Sequence, residues 1–120
     1  MRMYVAVAFL LVTTASLAAD PTPEQVEAGV KKAVVFEVVP DLAGKATSCK
    51  YSMTQDRATN QPDPTFHPSD KYVTDACEKL RKRQWAVRRN TIGAVQPVYD
   101  YCQWSEVIPD NAICRVVPQQ

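Results

Sequence analysis

Apolar residues in the second half of the chain recur with the period of an α-helix. The spacing i, i+3, i+4 and i+7 places one stripe on a single helix face, and its members are Val73, Ala76, Cys77 and Leu80. Ser69 precedes the stripe, and its hydroxyl suits the N-cap position. Acidic residues near the start and basic residues near the end complement the helix dipole. The pattern predicts a helix from about residue 70 to about residue 83.

Alternating apolar and polar residues predict strands on both sides of this helix. Residues 33–39 and 47–53 alternate cleanly and are joined by turn residues, which predicts a hairpin. Residues 98–107 are rich in aromatic and branched side chains and predict a third strand, while residues 112–117 predict a short final strand. The predicted fold class is α+β: a two-strand hairpin, one main helix and a third strand form a small antiparallel sheet with the helix on one face, plus a short C-terminal strand.

The same alternation predicts which side chains share a face of the sheet. The residues that share a face within each strand of the hairpin are Val34, Phe36 and Val38 in the first and Cys49, Tyr51 and Met53 in the second. In the third strand one face has Val98, Cys102 and Trp104 with Asp100 interrupting, and the other has Tyr99, Tyr101 and Val107. The pattern leaves open which of these two faces is buried.

Residues 1–18 have the features of a secretory signal peptide: a short basic start, an apolar run and small residues before a cleavage site that we place before Ala19. The predicted organisation is a signal peptide at 1–18, a lead-in with a short helix at 19–32, and a single domain at 33–120. The apolar run is too short for a bilayer anchor, so we expect no stable membrane insertion, with a retained anchor as the alternative. The predicted location is periplasmic or secreted.

Charge gives little indication of an anionic partner. Removal of Arg2 lowers the number of basic residues from 14 to 13, which equals the 13 acidic residues. This balance does not favour nucleic acid as a partner. The basic residues around the helix end suggest a polyanion site, but a solvated helix end that complements the dipole is the favoured interpretation. They are Lys79, Arg81, Lys82, Arg83, Arg88 and Arg89.

The four cysteines indicate two disulfides, because an exported chain passes through an oxidising compartment. Three pairings are possible. If the helix packs on the hairpin, Cys49 and Cys77 face the same interface and are natural partners, which leaves Cys102 and Cys114 to link the last two strands. A redox-active pair is the alternative, although no CxxC spacing supports it or a zinc site. We predict no metal and no cofactor.

Three stretches taken in order make the sequence resemble the periplasmic C-terminal domain of TonB-type energy transducers. They are the segment 23–49 with its strand, Asp-x-x-Gly turn and strand; Asp75-Ala76-Cys77 with the basic run and Trp85; and residues 93–98, GAVQPV. The resemblance implies an edge strand that accepts an extended peptide from an envelope protein. A homodimer through the same sheet edge is a further possibility. The residues that the resemblance implies for this edge are Tyr99, Tyr101, Gln103 and Ser105. Residues 112–117 can instead cover the same edge.

The polar, proline-rich segment 54–68 predicts a long surface loop. Phe66 and His67 within it suggest a contact site, and the favoured alternative is a loop fixed by one buried Phe beside an exposed His. A second functional class follows from this loop: a secreted inhibitor or immunity-type protein that blocks a partner enzyme.

Catalysis is not expected from the sequence. His67 is the single histidine, and no nucleophile with an orienting third group lies near it along the chain. Asp41, Asp63 and Asp75 are interpreted as turn and cap residues. The sequence therefore favours a non-enzymatic binding or adaptor module.

Overall fold

The computed structural model describes residues 19–115. Its elements are α1 (Pro23–Ala28), β1 (Val30–Pro40), β2 (Ala46–Asp56), α2 (Asp70–Arg81) and β3 (Val98–Ser105). The predicted signal peptide at 1–18 and the last two residues of the predicted final strand, Val116 and Val117, lie outside the described residues. Within residues 19–115, helices of the length and apolar character needed to cross a membrane are absent.

The three strands form one antiparallel sheet in the order β2-β1-β3. Strand β1 is central because its apolar residues suit burial between two neighbours. Val34, Phe36 and Val38 share one face, as the alternation predicted, and this face is fully buried under α2. The predicted α+β class is therefore confirmed.

Helix α2 begins as predicted, since the Ser69 hydroxyl accepts a hydrogen bond from the Tyr72 amide at 3.1 Å. It ends at Arg81, two residues before the predicted limit. The indole of Trp85 donates to the Leu80 carbonyl at 3.0 Å and satisfies one of the free carbonyls at this helix end. The predicted stripe omitted Tyr72, which is fully buried while its hydroxyl donates to the Gln103 carbonyl at 2.7 Å.

Because β2 contains a β-bulge, the inner face of the hairpin differs from the predicted one. Tyr51 pairs with Phe36 and Met53 pairs with Val35, so the register shifts by one residue between these pairs. The extra residue turns Thr54 inward, where it is buried and shares a hydrogen bond of 2.8 Å with the Tyr51 hydroxyl. Met53 was predicted for this face and lies on the opposite one, because one inserted residue exchanges the two faces of a strand.

Both predicted disulfides are present. Cys49 on β2 joins Cys77 on α2, with 5.7 Å between their Cα atoms. Cys102 on β3 joins Cys114 in the C-terminal segment, with 4.3 Å between their Cα atoms. The first link fixes the helix across the sheet and the second fixes the C-terminal segment to β3. Two such links indicate an oxidising, extracellular type of environment.

The lead-in at 19–32 packs on the sheet. Thr22 and Gln25 form a capping box at the start of α1, and Gly29 is the C-cap residue of this short helix. A side chain at Gly29 would lie 2.7 Å from Val107 Cγ2, so this position needs glycine for close approach. The last residues of the predicted lead-in already belong to β1.

Candidate binding edge of strand β3

Strand β3 forms one outer edge of the sheet, and the predicted edge residues differ in their surroundings. The side chains of Tyr99 and Tyr101 are 57% and 40% exposed. Gln103 is half-buried, and Ser105 is fully buried with its hydroxyl donating to the Val26 carbonyl at 2.8 Å. Ser105 therefore holds α1 against the sheet and is not available at the surface.

The C-terminal segment covers this edge at Gln103. The Gln103 amide donates to the Ile113 carbonyl at 2.9 Å, and the Ile113 amide donates back at 3.2 Å. Because backbone groups in an antiparallel pair alternate in direction, Tyr101 and Tyr99 also point their amides and carbonyls away from β1. In the same register the next residue to face Tyr101 would be Arg115.

The Arg83–Asp100 ion pair occupies the two backbone groups through which the pairing of Tyr101 with Arg115 would continue. Asp100 Oδ1 accepts the Tyr101 amide at 2.7 Å, and Arg83 Nη2 donates to the Arg115 carbonyl at 2.8 Å. Arg83 Nη1 and Asp100 Oδ2 lie 2.5 Å apart, with side chains only 9% and 14% exposed. Within residues 19–115, the stretch from Tyr99 to Tyr101 consequently has no strand beside it on the outer side.

The tyrosine rings lie on the face of the sheet opposite α2, and the ring of Tyr99 is held there by a hydrogen bond. The Tyr99 hydroxyl donates to Glu37 Oε2 at 2.9 Å. This bond raises the pKa of Tyr99, and together with Lys50 it lowers the pKa of Glu37 despite some desolvation. Beside Tyr101, a shallow cavity of about 190 Å³ is lined by Tyr101, Gln103, Ile113 and Arg115. The edge thus combines free backbone groups, two amphipathic rings and a small recess.

An ion pair on α2 holds the C-terminal segment by its backbone. Asp75 accepts from Lys79 at 2.7 Å and from the Ala112 amide at 2.8 Å, and Lys79 donates to the Ala112 carbonyl at 2.7 Å. Burial alone would raise the pKa of Asp75, but the hydrogen bonds from Lys79 and Ala112 outweigh it and lower this pKa. Asp75, predicted to be a turn or cap residue, is therefore a tertiary anchor.

The proline-rich loop is fixed to the domain. The Phe66 ring packs edge-on against Trp104 at 4.8 Å, with the Lys32 ammonium 5.4 Å from the Phe66 centroid. Lys32 also binds Asp63 at 2.6 Å, which raises the pKa of Lys32 and lowers that of Asp63. His67 is exposed and Phe66 is partly buried, so the loop is fixed by a packed Phe beside an exposed His. Residues 54–56 were predicted to begin this loop and belong to β2 instead.

The same loop closes the opposite edge of the sheet. The Asp56 amide donates to the Gln61 carbonyl at 2.9 Å, and the Asp63 amide donates to the Thr54 carbonyl at 2.8 Å. These bonds occupy the outer backbone groups at the end of β2 where the loop leaves the sheet. Of the two edges of the sheet, the β3 edge is therefore the one at which two exposed rings flank outward backbone groups.

Sequence reasoning missed Asp100 and Arg83 as determinants of this edge. The available signal was the single acid that interrupts an otherwise apolar face of β3, because a buried charge requires a partner. Arg83 was predicted to be part of a solvated helix end, whereas its guanidinium lies 4.8 Å from the Trp85 ring and is almost buried. Lys79 is likewise engaged with Asp75.

Searches of protein-family models, curated proteins and solved structures found no match to this chain. The similarity to the TonB C-terminal domain therefore stays a prediction. In the part of the chain from Ala19 to Arg115, groups of three or more His, Cys, Asp or Glu side chains placed to hold a metal ion are absent. The fold and the edge define a small disulfide-linked α+β domain with a candidate strand-binding edge.

Proposed function

We propose that this protein is a non-enzymatic envelope binding or adaptor module that accepts an extended peptide beside Tyr99 and Tyr101. The observation that carries the proposal is the outer backbone of β3, which the C-terminal segment covers at Gln103 and leaves at Tyr101. The predicted resemblance to the TonB C-terminal domain points to the same strand. Addition of a strand to such an edge is a common mode of peptide recognition.

Side chains must supply much of the affinity of this edge. Each net backbone hydrogen bond contributes about 1 kcal/mol, and the Tyr101 amide is already bound to Asp100. The few remaining bonds do not offset the cost of association, which is at least about 4 kcal/mol. The exposed rings of Tyr99 and Tyr101 provide the larger contact, and the recess beside Ile113 suits one peptide side chain.

A proline at position 99 tests strand addition directly. Tyr99 directs its amide away from β1, so Tyr99→Pro removes an outward donor and leaves the ladder with β1 intact. The probe is a displayed library of random nine-residue peptides selected against the chain that begins at Ala19. We expect selected peptides to lose binding to Tyr99→Pro and to bind Tyr99→Ala more weakly than the natural protein.

Glu78→Ala, on the exposed outer face of α2, is the matched control and should bind as the natural protein does. Thermal stability of the Pro and Ala variants equal to that of the natural protein would show that both are folded. Peptides that bind the folded Tyr99→Pro variant with unchanged affinity would contradict strand addition. Sedimentation of the protein alone measures whether a second copy uses the same edge, because Tyr99→Pro should then convert a dimer to a monomer.

The alternative of an inhibitor or immunity-type protein stays a prediction. Phe66 is engaged with Trp104 within the domain, which leaves His67 as the exposed member of the predicted contact pair. Strand addition requires no rearrangement of this loop. The edge therefore has the stronger structural support as the interaction site.

A further inference from the structure

Three segments meet at one end of the molecule, which we call the basic end. They are the β1–β2 turn at 41–45, the end of α2 at 81–83 and the loop at 88–96. Val38 near the end of β1 pairs with Val98 at the start of β3, so the turn and the loop leave the sheet on the same side. The Trp85 amide donates to the Gly44 carbonyl at 2.9 Å and joins the end of α2 to the turn.

The basic end concentrates positive charge. Within these three segments the six basic residues are Lys45, Arg81, Lys82, Arg83, Arg88 and Arg89, and the one acidic residue is Asp41. Arg83 is neutralised by Asp100, and within residues 19–115 the remaining five basic side chains form no ion pair. A net charge near zero therefore does not describe this surface.

The opposite end has the reverse imbalance. Around the start of β1 and α2, the acidic residues are Glu24, Glu27, Asp56, Asp63, Asp70, Glu106 and Asp110, and the basic residues are Lys31, Lys32, Arg57 and Lys71. The two ends thus form an electric dipole along the sheet. Such a charge distribution orients a protein at a charged surface even when its net charge is zero.

The basic end includes a hydrogen-bonded turn with an exposed apolar residue at its tip. The segment 88–96 folds back on itself, with the Gln96 amide donating to the Arg88 carbonyl at 2.8 Å. Asn90 Oδ1 accepts the amides of Ile92 and Ala94 at 3.0 Å each, and this fixes the turn. Ile92 lies at the tip with 85% of its surface exposed.

A second exposed apolar side chain of the basic end lies on the β1–β2 turn. Leu42 is 65% exposed. Its turn is held because Asp41 Oδ1 accepts the Ala43 and Lys45 amides at 2.8 and 2.9 Å. The basic end therefore presents two exposed aliphatic residues on ordered turns among unpaired Lys and Arg side chains.

We propose that the basic end docks peripherally on an anionic phospholipid surface. Ile92 and Leu42 enter the interface between headgroups and acyl chains, and the surrounding basic side chains contact lipid phosphates. Aliphatic residues on convex turns suit a lipid interface, whereas single-stranded nucleic acid is bound by aromatic stacking in a groove. The proposal uses residues other than Tyr99 and Tyr101 and stands independently of peptide binding.

Vesicle co-sedimentation of the chain that begins at Ala19 tests this inference. The probes are vesicles of pure phosphatidylcholine and vesicles that also contain phosphatidylglycerol as the anionic lipid. We expect binding to the anionic vesicles, weakened by added salt. Because each basic side chain near the surface changes binding about fivefold, Arg88→Gln combined with Arg89→Gln should reduce the partition coefficient about 25-fold. Ile92→Ser should reduce it severalfold with the salt dependence unchanged.

The charge-matched control is Lys31→Gln combined with Lys71→Gln at the opposite end, which should bind as the natural protein does. Arg88, Arg89 and Ile92 are exposed, so their variants should keep the thermal stability of the natural protein. Equal binding to neutral vesicles, absence of vesicle binding, or an equal loss in the control would overturn the proposal. Binding to heparin or polyglutamate without binding to vesicles would overturn it in favour of an acidic macromolecule.

Discussion

The Arg83–Asp100 pair offers a quantitative test of the structure, because both side chains are nearly buried. Removing one member of a buried pair leaves an uncompensated charge and typically costs about 3 to 5 kcal/mol. Arg83 would keep its bond to the Arg115 carbonyl and its contact with the Trp85 ring, which relieve part of this penalty. We therefore expect Asp100→Val to lower the free energy of unfolding by about 2 to 4 kcal/mol.

A double-mutant cycle separates the pair from the other contacts of each residue. Arg83→Met alone should also destabilise, because it leaves the Asp100 carboxylate without its cation. The double variant should lie within about 1 kcal/mol of the natural protein, since apolar replacement of a buried pair is often close to neutral. The expected coupling energy is therefore at least about 1.5 kcal/mol. Urea unfolding at neutral pH with intact disulfides measures it, provided that the slope of each transition is equal.

The Lys50–Glu37 pair supplies the matched control for this cycle. Its ions are 3.2 Å apart, but the Lys50 side chain is 73% exposed, so screening should limit the coupling to below about 1 kcal/mol. A coupling energy for Arg83 and Asp100 below about 0.5 kcal/mol, no larger than that of the control, would refute our interpretation. It would mean that water reaches the pair and that the ion pair does not determine where the C-terminal segment leaves β3.

Four further variants test separate parts of the fold. Gly93→Ala should lower the free energy of unfolding by about 1 kcal/mol, because the positive φ of +88° is unfavourable for alanine. Gly44→Ala should lower it by at least twice as much, because its added Cβ would also lie 2.6 Å from the Trp85 carbonyl oxygen. Urea unfolding compares the two variants. The lowered pKa of Asp75 means that its contribution to stability is present above its unfolded pKa and is lost as the pH falls through its folded pKa, so Asp75→Asn should flatten the acid side of a stability–pH curve. Cys102→Ser with Cys114→Ser should speed hydrogen exchange at the Gln103 amide, and unchanged exchange would show that the C-terminal segment stays paired without its disulfide.

Local periodicity was sufficient for α2, for the three strands of the sheet and for the disulfides, whereas the final strand predicted at 112–117 is, within residues 112–115, a single bridge between Ile113 and Gln103. The stripe on α2 and the alternation in β1 depend on residues close in sequence, and they place Cys77 and Cys49 on facing surfaces. The bulge in β2 was not predictable in this way, because the inserted residue is defined by the pairing with β1. Met53 lies on the outer face for this reason, and Thr54, predicted to begin the surface loop, is buried in β2.

The candidate site was only partly predictable. Alternation placed Tyr99 and Tyr101 together, but the outer position of β3 follows from the strand order and not from its own sequence. Ser105 has the same alternation as these tyrosines and is buried because α1 packs over that end of the strand. The spacing of Asp75, Lys79 and Arg83 fits a solvated helix equally well, and their tertiary partners decide their role.

The proposed edge adjoins the basic end, and this arrangement predicts where a bound peptide carries its acidic residues. Strand β3 runs away from the basic end, so a peptide antiparallel to it, as Ile113 is, directs its C-terminus toward that end. Acidic residues C-terminal to the paired positions would then approach Arg88 and Arg89, whereas acidic residues N-terminal to them would approach the acidic end. Selected peptides should consequently be enriched in Asp and Glu on the C-terminal side. Equal enrichment on both sides would contradict antiparallel addition, and enrichment on the N-terminal side would indicate a parallel strand.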